Sequence, residues 1–317
     1  MKRLGFIAVA VATLAATGAA SAQDTLKLAI GQINNWENQP PTLGQDAGIF
    51  KKYNIVMENF GTGGAGETLQ AVISGSADLG GGVGLGGALR AFSRGAPVRI
   101  LLPSYTGTSD LYWYVKADSP IKSLKDATDK NTVAYSTNGS SSNNIVIGFV
   151  EELGLKAKPT ATGGLPGTLT SVMSGQIDIG WGAPPFGVKE LNEGKIRIIA
   201  RGSDIPSLRG QTVRAIIVNA DSLAKKKDAM VRFAKGFREA VNWMYDDPAA
   251  VTMYAKKINT DEAIVKQSIK DYQTRDALQT DELKDLDGAM KDAVKLKFLD
   301  KVLTPEQVKE FVQIPPK

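Results

Sequence analysis

The sequence predicts two similar α/β lobes in one chain with a cleft between them, and three observations carry that expectation. The first is a duplication: residues 62–82 and 162–182 read TGGAGETLQAVISGSADLGGG and TGGLPGTLTSVMSGQIDIGWG, with eleven of twenty-one positions identical. A passage repeated once at an interval of 100 positions is not a solenoid, whose periods run about 20–50 residues. The second is the alternation of short β-rich runs with helical stretches from Thr25 onward, the pattern of a mostly parallel sheet covered by helices. The third is length: 317 residues exceed the roughly 250–300 at which one core usually stops growing.

The elements follow in order. Leu26–Ile30 reads as a strand, Pro41–Tyr53 as a helix ending in Gly48-Ile49-Phe50, and Ile55–Phe60 as a second strand. A glycine-rich turn at Gly61–Gly66 opens a helix to Ser74, and Ala77–Gly80 is a third strand. The second lobe repeats this with a strand at Thr132–Tyr135, a loop at Ser136–Ser142, a helix at Asn143–Leu153, a helix at Thr168–Ser174 and a strand at Ile177–Gly180. Two look-alike passages, Tyr114–Ser119 and Ile217–Ser222, each run from an apolar stretch into Ala-Asp-Ser. They read as the outward and return crossings of a hinge. The expected organisation is therefore lobe one over residues 23–113 and 217–317, with lobe two, residues 114–216, inserted between.

After the return crossing the chain turns helical. Met230, Phe233, Phe237, Ala240, Val241 and Met244 recur at three- and four-residue spacing as one apolar stripe, which Pro248 ends. Such a stripe reads as core. Thr304-Pro305-Glu306-Gln307 has the N-cap, first-turn proline and reciprocal glutamine of a capping box. These helices are expected on lobe one.

The first 22 residues belong to neither lobe. Lys2 and Arg3 precede an apolar run at Leu4–Leu14, and Ala20-Ser21-Ala22 precedes Gln23, together a secretory signal peptide cleaved after Ala22. Without Lys2 and Arg3 the chain has 36 basic and 33 acidic side chains, too even a balance to argue for nucleic acid or an anionic membrane. With no cysteine and no histidine, thiolate nucleophiles, lipidation after the leader, Ser-His-Asp catalysis and histidine zinc sites are excluded. An exported protein without a tether is expected in the periplasm.

The order of leader, Gly-x-Phe helix end, Ser-Gly-x-x-Asp-x-Gly in both lobes and Ala117-Asp118-Ser119-Pro120-Ile121-Lys122 at the crossing resembles the solute-binding proteins of the nitrate, taurine and aliphatic sulfonate importers. The resemblance implies the α/β type II periplasmic-binding-protein (Venus flytrap) fold, two lobes joined by a two-crossing hinge. It also implies a monomer that captures a small organic or sulfonate-like solute and delivers it to an ABC permease and ATPase complex. No catalysis, cofactor or metal is implied.

Carried over by position, the implied contacts are Asn34, Asn35 and Trp36 after the first strand, Gly64 and Gly164 at the paired glycine turns, Gly84 after the first repeat, and Thr106. To these the resemblance adds Ser140, Ser141 and Asn143 at a helix start, with Trp181 and Pro184 after the second repeat. Serine hydroxyls and N–H groups at a helix N-terminus make a seat for an anion, although capping uses the same residues. Trp36 and Trp181 are expected as flat walls from opposite lobes. Asp78 and Asp178, at one place in both repeats, read as turn-fixing rather than ligand-binding. Family members often have a histidine near Ser142–Asn144, and Gln32–Thr42 holds no arginine or lysine, so an amide-rich pocket suits a neutral, zwitterionic or aromatic solute.

Two enzymes and a sensor are the rival readings. Gly61–Gly66 matches G-x-G-x-x-G after a strand, but the second repeat replaces Gly61 by Ala161 and Gly66 by Pro166, which argues against a dinucleotide enzyme. A pyrimidine-precursor synthase on this fold needs histidine. A periplasmic ligand sensor would use the same cleft, and the sequence does not separate it from an import component.

Overall fold

The computed structural model describes residues 23–278 and 280–317; the leader expected over residues 1–22 lies outside them. The strands are β1 (Asp24–Gly31), β2 (Ile55–Thr62), β3 (Leu79–Gly84), β4 (Val98–Thr106) and β5 (Tyr112–Lys116), followed by β6 (Thr132–Tyr135), β7 (Lys158–Ala161), β8 (Gly180–Gly182), β9 (Ile196–Arg201) and β10 (Thr212–Asn219).

One sheet has the order β2-β1-β3-β10-β4, with β10 antiparallel to both neighbours. The other half of the molecule carries β8-β5-β9 and β6-β7, linked by a parallel bridge between Val133 and Ile179. Strand for strand, β7-β6-β8-β5-β9 repeats the first sheet, and β5 takes the antiparallel place of β10. The duplication in the sequence is thus a duplication of lobes.

The repeated residues do the same work twice. Thr62 and Thr68 share a hydroxyl contact at 2.7 Å and Thr162 and Thr168 one at 2.6 Å, each closing the turn ahead of a nine-residue helix, Ala65–Ile73 or Leu165–Met173. Asp78 Oδ2 accepts from Lys27 N at 3.0 Å, and Asp178 Oδ2 from Thr132 N at 2.8 Å. Both carboxylates therefore tie a repeat to a strand, β1 or β6, that holds the same place in each sheet, a structural role across strands rather than within the turn.

The crossings are not where the sequence placed them. Tyr114–Ser119 and Ile217–Ser222 contain the ends of β5 and β10, each paired on both sides within one sheet. Their apolar runs are those of central strands buried on both faces, and Val115 and Ile217 are fully buried. The chain changes sheet instead at residues 107–111 and 202–211, so the second sheet ends at Arg201 rather than near residue 216. The two connections lie side by side, with Gly107 N donating to Gln211 O at 2.8 Å and Gly202 N to Leu111 O at 2.9 Å.

The helix expected over Pro41–Tyr53 is two, Pro40–Asp46 and Ile49–Lys52, because Gly48 turns left-handed at φ 75°. The stripe on helix Lys227–Asp246 is buried as expected, and Phe233 stacks on Phe50 of the first lobe at 5.8 Å. Thr304 caps the last helix, Pro305–Phe311, in the expected box: Gln307 N donates to its hydroxyl and Gln307 Oε1 accepts from its N–H at 2.9 Å. Val312 then bridges to Ile100 of β4, fixing the C-terminal helices on the first lobe. Among the described residues no helix is long and apolar enough to cross a membrane.

Candidate functional site

The lobes meet where β3 of the first ends against the start of helix Ser141–Leu153 of the second. The approach is backbone to backbone. A Cβ on Gly84 would lie 2.5 Å from Gly139 O, and one on Gly87 2.8 Å from the same atom, so neither position has room for a side chain. Gly64 packs as closely, its missing Cβ 2.8 Å from Ser136 Oγ.

From the first lobe, the chain leaving β1 folds into a turn at Trp36–Asn38. Gln39 Nε2 donates to Ile33 O, and its Oε1 accepts from Thr42 Oγ1 at 2.6 Å. That framework holds Glu37 inward, its Oε1 accepting from Asn35 Nδ2 at 3.3 Å and Asn38 Nδ2 at 3.4 Å. From the second lobe, Ser140 caps the facing helix by accepting from Asn143 N at 3.1 Å. Its hydroxyl also meets that of Ser142 at 3.0 Å, and Ser142 accepts from Ser136 N at 3.0 Å.

Between these elements lie two chambers that share Gln32 and Asn35. The inner one, about 30 Å³, is bounded by Glu37, Ser140, Ser141, Ser142, Trp181 and Arg214 among others. The outer one, about 310 Å³, is bounded by Gln32–Asn35, Thr62 and Gly63 of the first lobe and Gly164–Pro166, Pro185 and Phe186 of the second. Among the described residues no charged side chain lines it. Only the outer chamber has the size typical of small-molecule sites, roughly 300–1,000 Å³.

The inner chamber is built around buried charge. Arg214 Nη2 donates to Asp110 Oδ2 at 2.5 Å, and Glu37 Oε1 stands 3.9 Å from Arg214 Nη1. The guanidinium also lies over the Tyr105 ring at 4.3 Å, a cation–π contact, and reaches Ser141 Oγ at 3.5 Å. Glu37, Asp110 and Arg214 are 3%, 0% and 4% exposed. Burial pushes the Glu37 carboxyl up to about 7; Arg214 opposes the shift and Asp110 adds to it. Glu37 Oε2, Arg214 Nε and Trp181 Nε1 are buried without a partner.

Of the residues singled out from the sequence, Asn35, Ser140, Ser141 and Trp181 line the inner chamber, while Asn34, Asn35 and Gly164 line the outer. Trp36 lines neither. Its ring packs edge-on against Tyr254 at 5.1 Å and Tyr245 at 5.8 Å inside the first lobe, because the turn that directs Glu37 inward directs its neighbour to the core. Gly64 and Gly84 serve the contact between lobes. Asn143 accepts from Gly139 N at 3.0 Å, and Thr106 bonds Thr212 across β4 and β10 at 3.2 Å. Pro185 rather than Pro184 reaches the outer chamber. Sequence reasoning missed Asp110 and Arg214 and passed over Glu37. The available signal was an arginine inside an apolar strand, TVRAIIVN.

The fold recurs in solved structures. The alkanesulfonate-binding protein SsuA from Xanthomonas axonopodis pv. citri bound to MOPS matches at 15% identity and a TM-score of 0.75, over 92% of this chain and 98% of that one. The periplasmic aliphatic sulphonate binding protein SsuA from Escherichia coli matches at 19% identity and 0.66, over 92% and 93%. The periplasmic nitrate-binding protein NrtA from Synechocystis PCC 6803 matches at 14% and 0.70, over 91% and 86%. Two α/β lobes closing on a shared cleft thus have the fold of the periplasmic binding proteins. The family model described as NMT1/THI5 like matches residues 37–251, and the chain belongs to that family. Searched against curated protein sequences, it finds no significant match.

Proposed function

We propose that the chain is the solute-binding component of an ABC importer, a periplasmic monomer that captures a small organic solute between its lobes and presents it to a membrane permease and its ATPase. The observation that carries this is the outer chamber, of ligand size and walled by both lobes. A solute held there touches both lobes, so closing them tightens its hold and parting them weakens it. The roles of the structural relatives, binding of sulfonates and of nitrate, support the same reading.

A dinucleotide enzyme does not fit the Gly61–Gly66 turn. Gly63 N donates to Glu67 Oε2 at 2.7 Å and Gly66 N to Thr137 Oγ1 at 3.0 Å, so N–H groups that would cradle a phosphate are already paired, one of them to a carboxylate. Thermal melts of the protein without residues 1–22, run against sulfonates, carboxylates, amides, amines and aromatic acids, test the proposal. A true ligand at 100 times its Kd adds about 2.7 kcal/mol; a panel without any stabiliser argues against solute binding. Adjacent permease and ATPase genes would favour import over sensing.

A further inference from the structure

Two buried donors at the inner chamber, Trp181 Nε1 and Arg214 Nε, have no partner among the described residues; Glu37 Oε2 on its wall and Asp110 Oδ1 behind Arg214 are buried acceptors in the same condition. The thirteen-residue helix Ser141–Leu153 starts at the same chamber; its Asn143 and Asn144 N–H groups are taken by Ser140, which leaves those of Ser141 and Ser142 and the positive end of its dipole. Arg214 does not bring free positive charge, because Asp110 already matches it at 2.5 Å. Glu37 decides what the chamber accepts. Ionised, it sets a second buried negative charge beside any anion; neutral, it becomes one more donor.

We propose that the cleft takes a monocarboxylate with an apolar body, its carboxylate entering the inner chamber against the helix start and its binding placing one proton on Glu37. This deepens the solute-binding reading and rests on it. The inner chamber, the smaller of the two at about 30 Å³, takes the small head group. The body lies in the outer chamber of about 310 Å³, against Ile33, Leu165, Pro166 and Phe186. The charged and titratable groups around Glu37 are Arg214 on β10, Asp110 in the outward connection, Tyr105 on β4, and Tyr245 and Tyr254 on the C-terminal helices. Burial holds all three tyrosines above their ordinary range and raises the Asp110 carboxyl as well, against the pull of Arg214; Asp110 has the 2.5 Å ion pair and Glu37 stands 3.9 Å off, so the proton is placed on Glu37.

The sign of the pH dependence follows. A bound anion raises the Glu37 pKa further, so the complex holds a proton that the free protein has lost above about 7. Affinity is then highest below that pH and falls by about tenfold per unit above it. The test is calorimetric titration with four probes that share a ring, benzoate, benzenesulfonate, benzamide and benzylammonium, at pH 6 and pH 8 in buffers of different ionisation enthalpy. Benzoate is expected to bind tightest and to take up close to one proton at pH 8. In Glu37→Gln, checked for folding by its melt, that uptake disappears and benzoate affinity becomes independent of pH. The wild-type proton count needs no variant.

Tighter binding of benzenesulfonate or benzylammonium, or proton uptake that persists in Glu37→Gln, overturns the carboxylate assignment. If benzamide or benzylammonium binds and benzoate does not, solute binding stands and the assignment falls. If none of the four binds, the assignment falls and the broader melting panel decides the reading beneath it.

Discussion

Arg214 on β10 ties the strand that follows the return connection to Asp110 in the outward connection: Nη2 donates to Oδ2 at 2.5 Å, with both residues buried. Removing one member leaves a buried charge without its partner, at about 3–5 kcal/mol. Arg214→Met is expected to lower stability by that order in denaturant melts at pH 8. Adding Asp110→Asn should recover part of the loss, since the orphaned charge goes with it. Equal stability of the single and double variants would show that the pair is not coupled.

Glu37 makes stability depend on pH in its own right. Its folded pKa, about 7, lies above the ordinary 4.5, so the folded state holds a proton that the unfolded chain releases. That contribution is fully present below about pH 4.5 and is lost as pH rises through about 7. Glu37→Gln cannot ionise and is expected to be more stable than wild type at pH 8, by roughly 3 kcal/mol, and nearly equal at pH 4. Melting curves of both proteins at the two pH values check this.

Trp181 carries both a packing and a binding role. It is 2% exposed, pairs with Trp113 across β8 and β5, and lines the inner chamber. Trp181→Ala is therefore expected to cost about 3–5 kcal/mol of stability as well as affinity. Trp181→Phe keeps most of the volume and removes the Nε1 donor. Its ligand affinity should fall by tenfold or more, about 1.4 kcal/mol, with a smaller change in the melt.

The serines at the helix start separate capping from recognition. Ser140 accepts from Asn143 N, whereas Ser141 Oγ has the Arg214 guanidinium at 3.5 Å. Ser140→Ala should cost about 1 kcal/mol of stability. Ser141→Ala should leave the melt nearly unchanged and weaken ligand binding. An affinity loss confined to Ser140→Ala would reverse these roles.

The duplication made the lobes legible in sequence because the same turn, Thr62 with Thr68 and Thr162 with Thr168, recurs with the same hydroxyl bond. The connections were not legible: β5 and β10 look alike as sequence because they occupy the same central place in two sheets, and a central strand reads like any extended apolar run. Ser140 could be found because a cap is local. Glu37, Asp110 and Arg214 are 73 and 104 positions apart along the chain, and only the side-by-side connections bring them together. Trp36 was expected at the cleft by its position in the loop after the first strand, and position along a tight turn does not tell which way adjacent side chains point.

Closure of the lobes over a solute is the central claim, and Gly84 and Gly87 against Gly139 give it a handle. Small-angle scattering of the wild type and of Gly87→Val, each with and without a solute selected by the melting panel, measures it directly. The account predicts a smaller radius of gyration for the wild type with solute. It predicts little change for Gly87→Val, whose side chain would stand in the 2.8 Å gap to Gly139 O. A wild-type radius that does not move at saturating solute would contradict capture by closure.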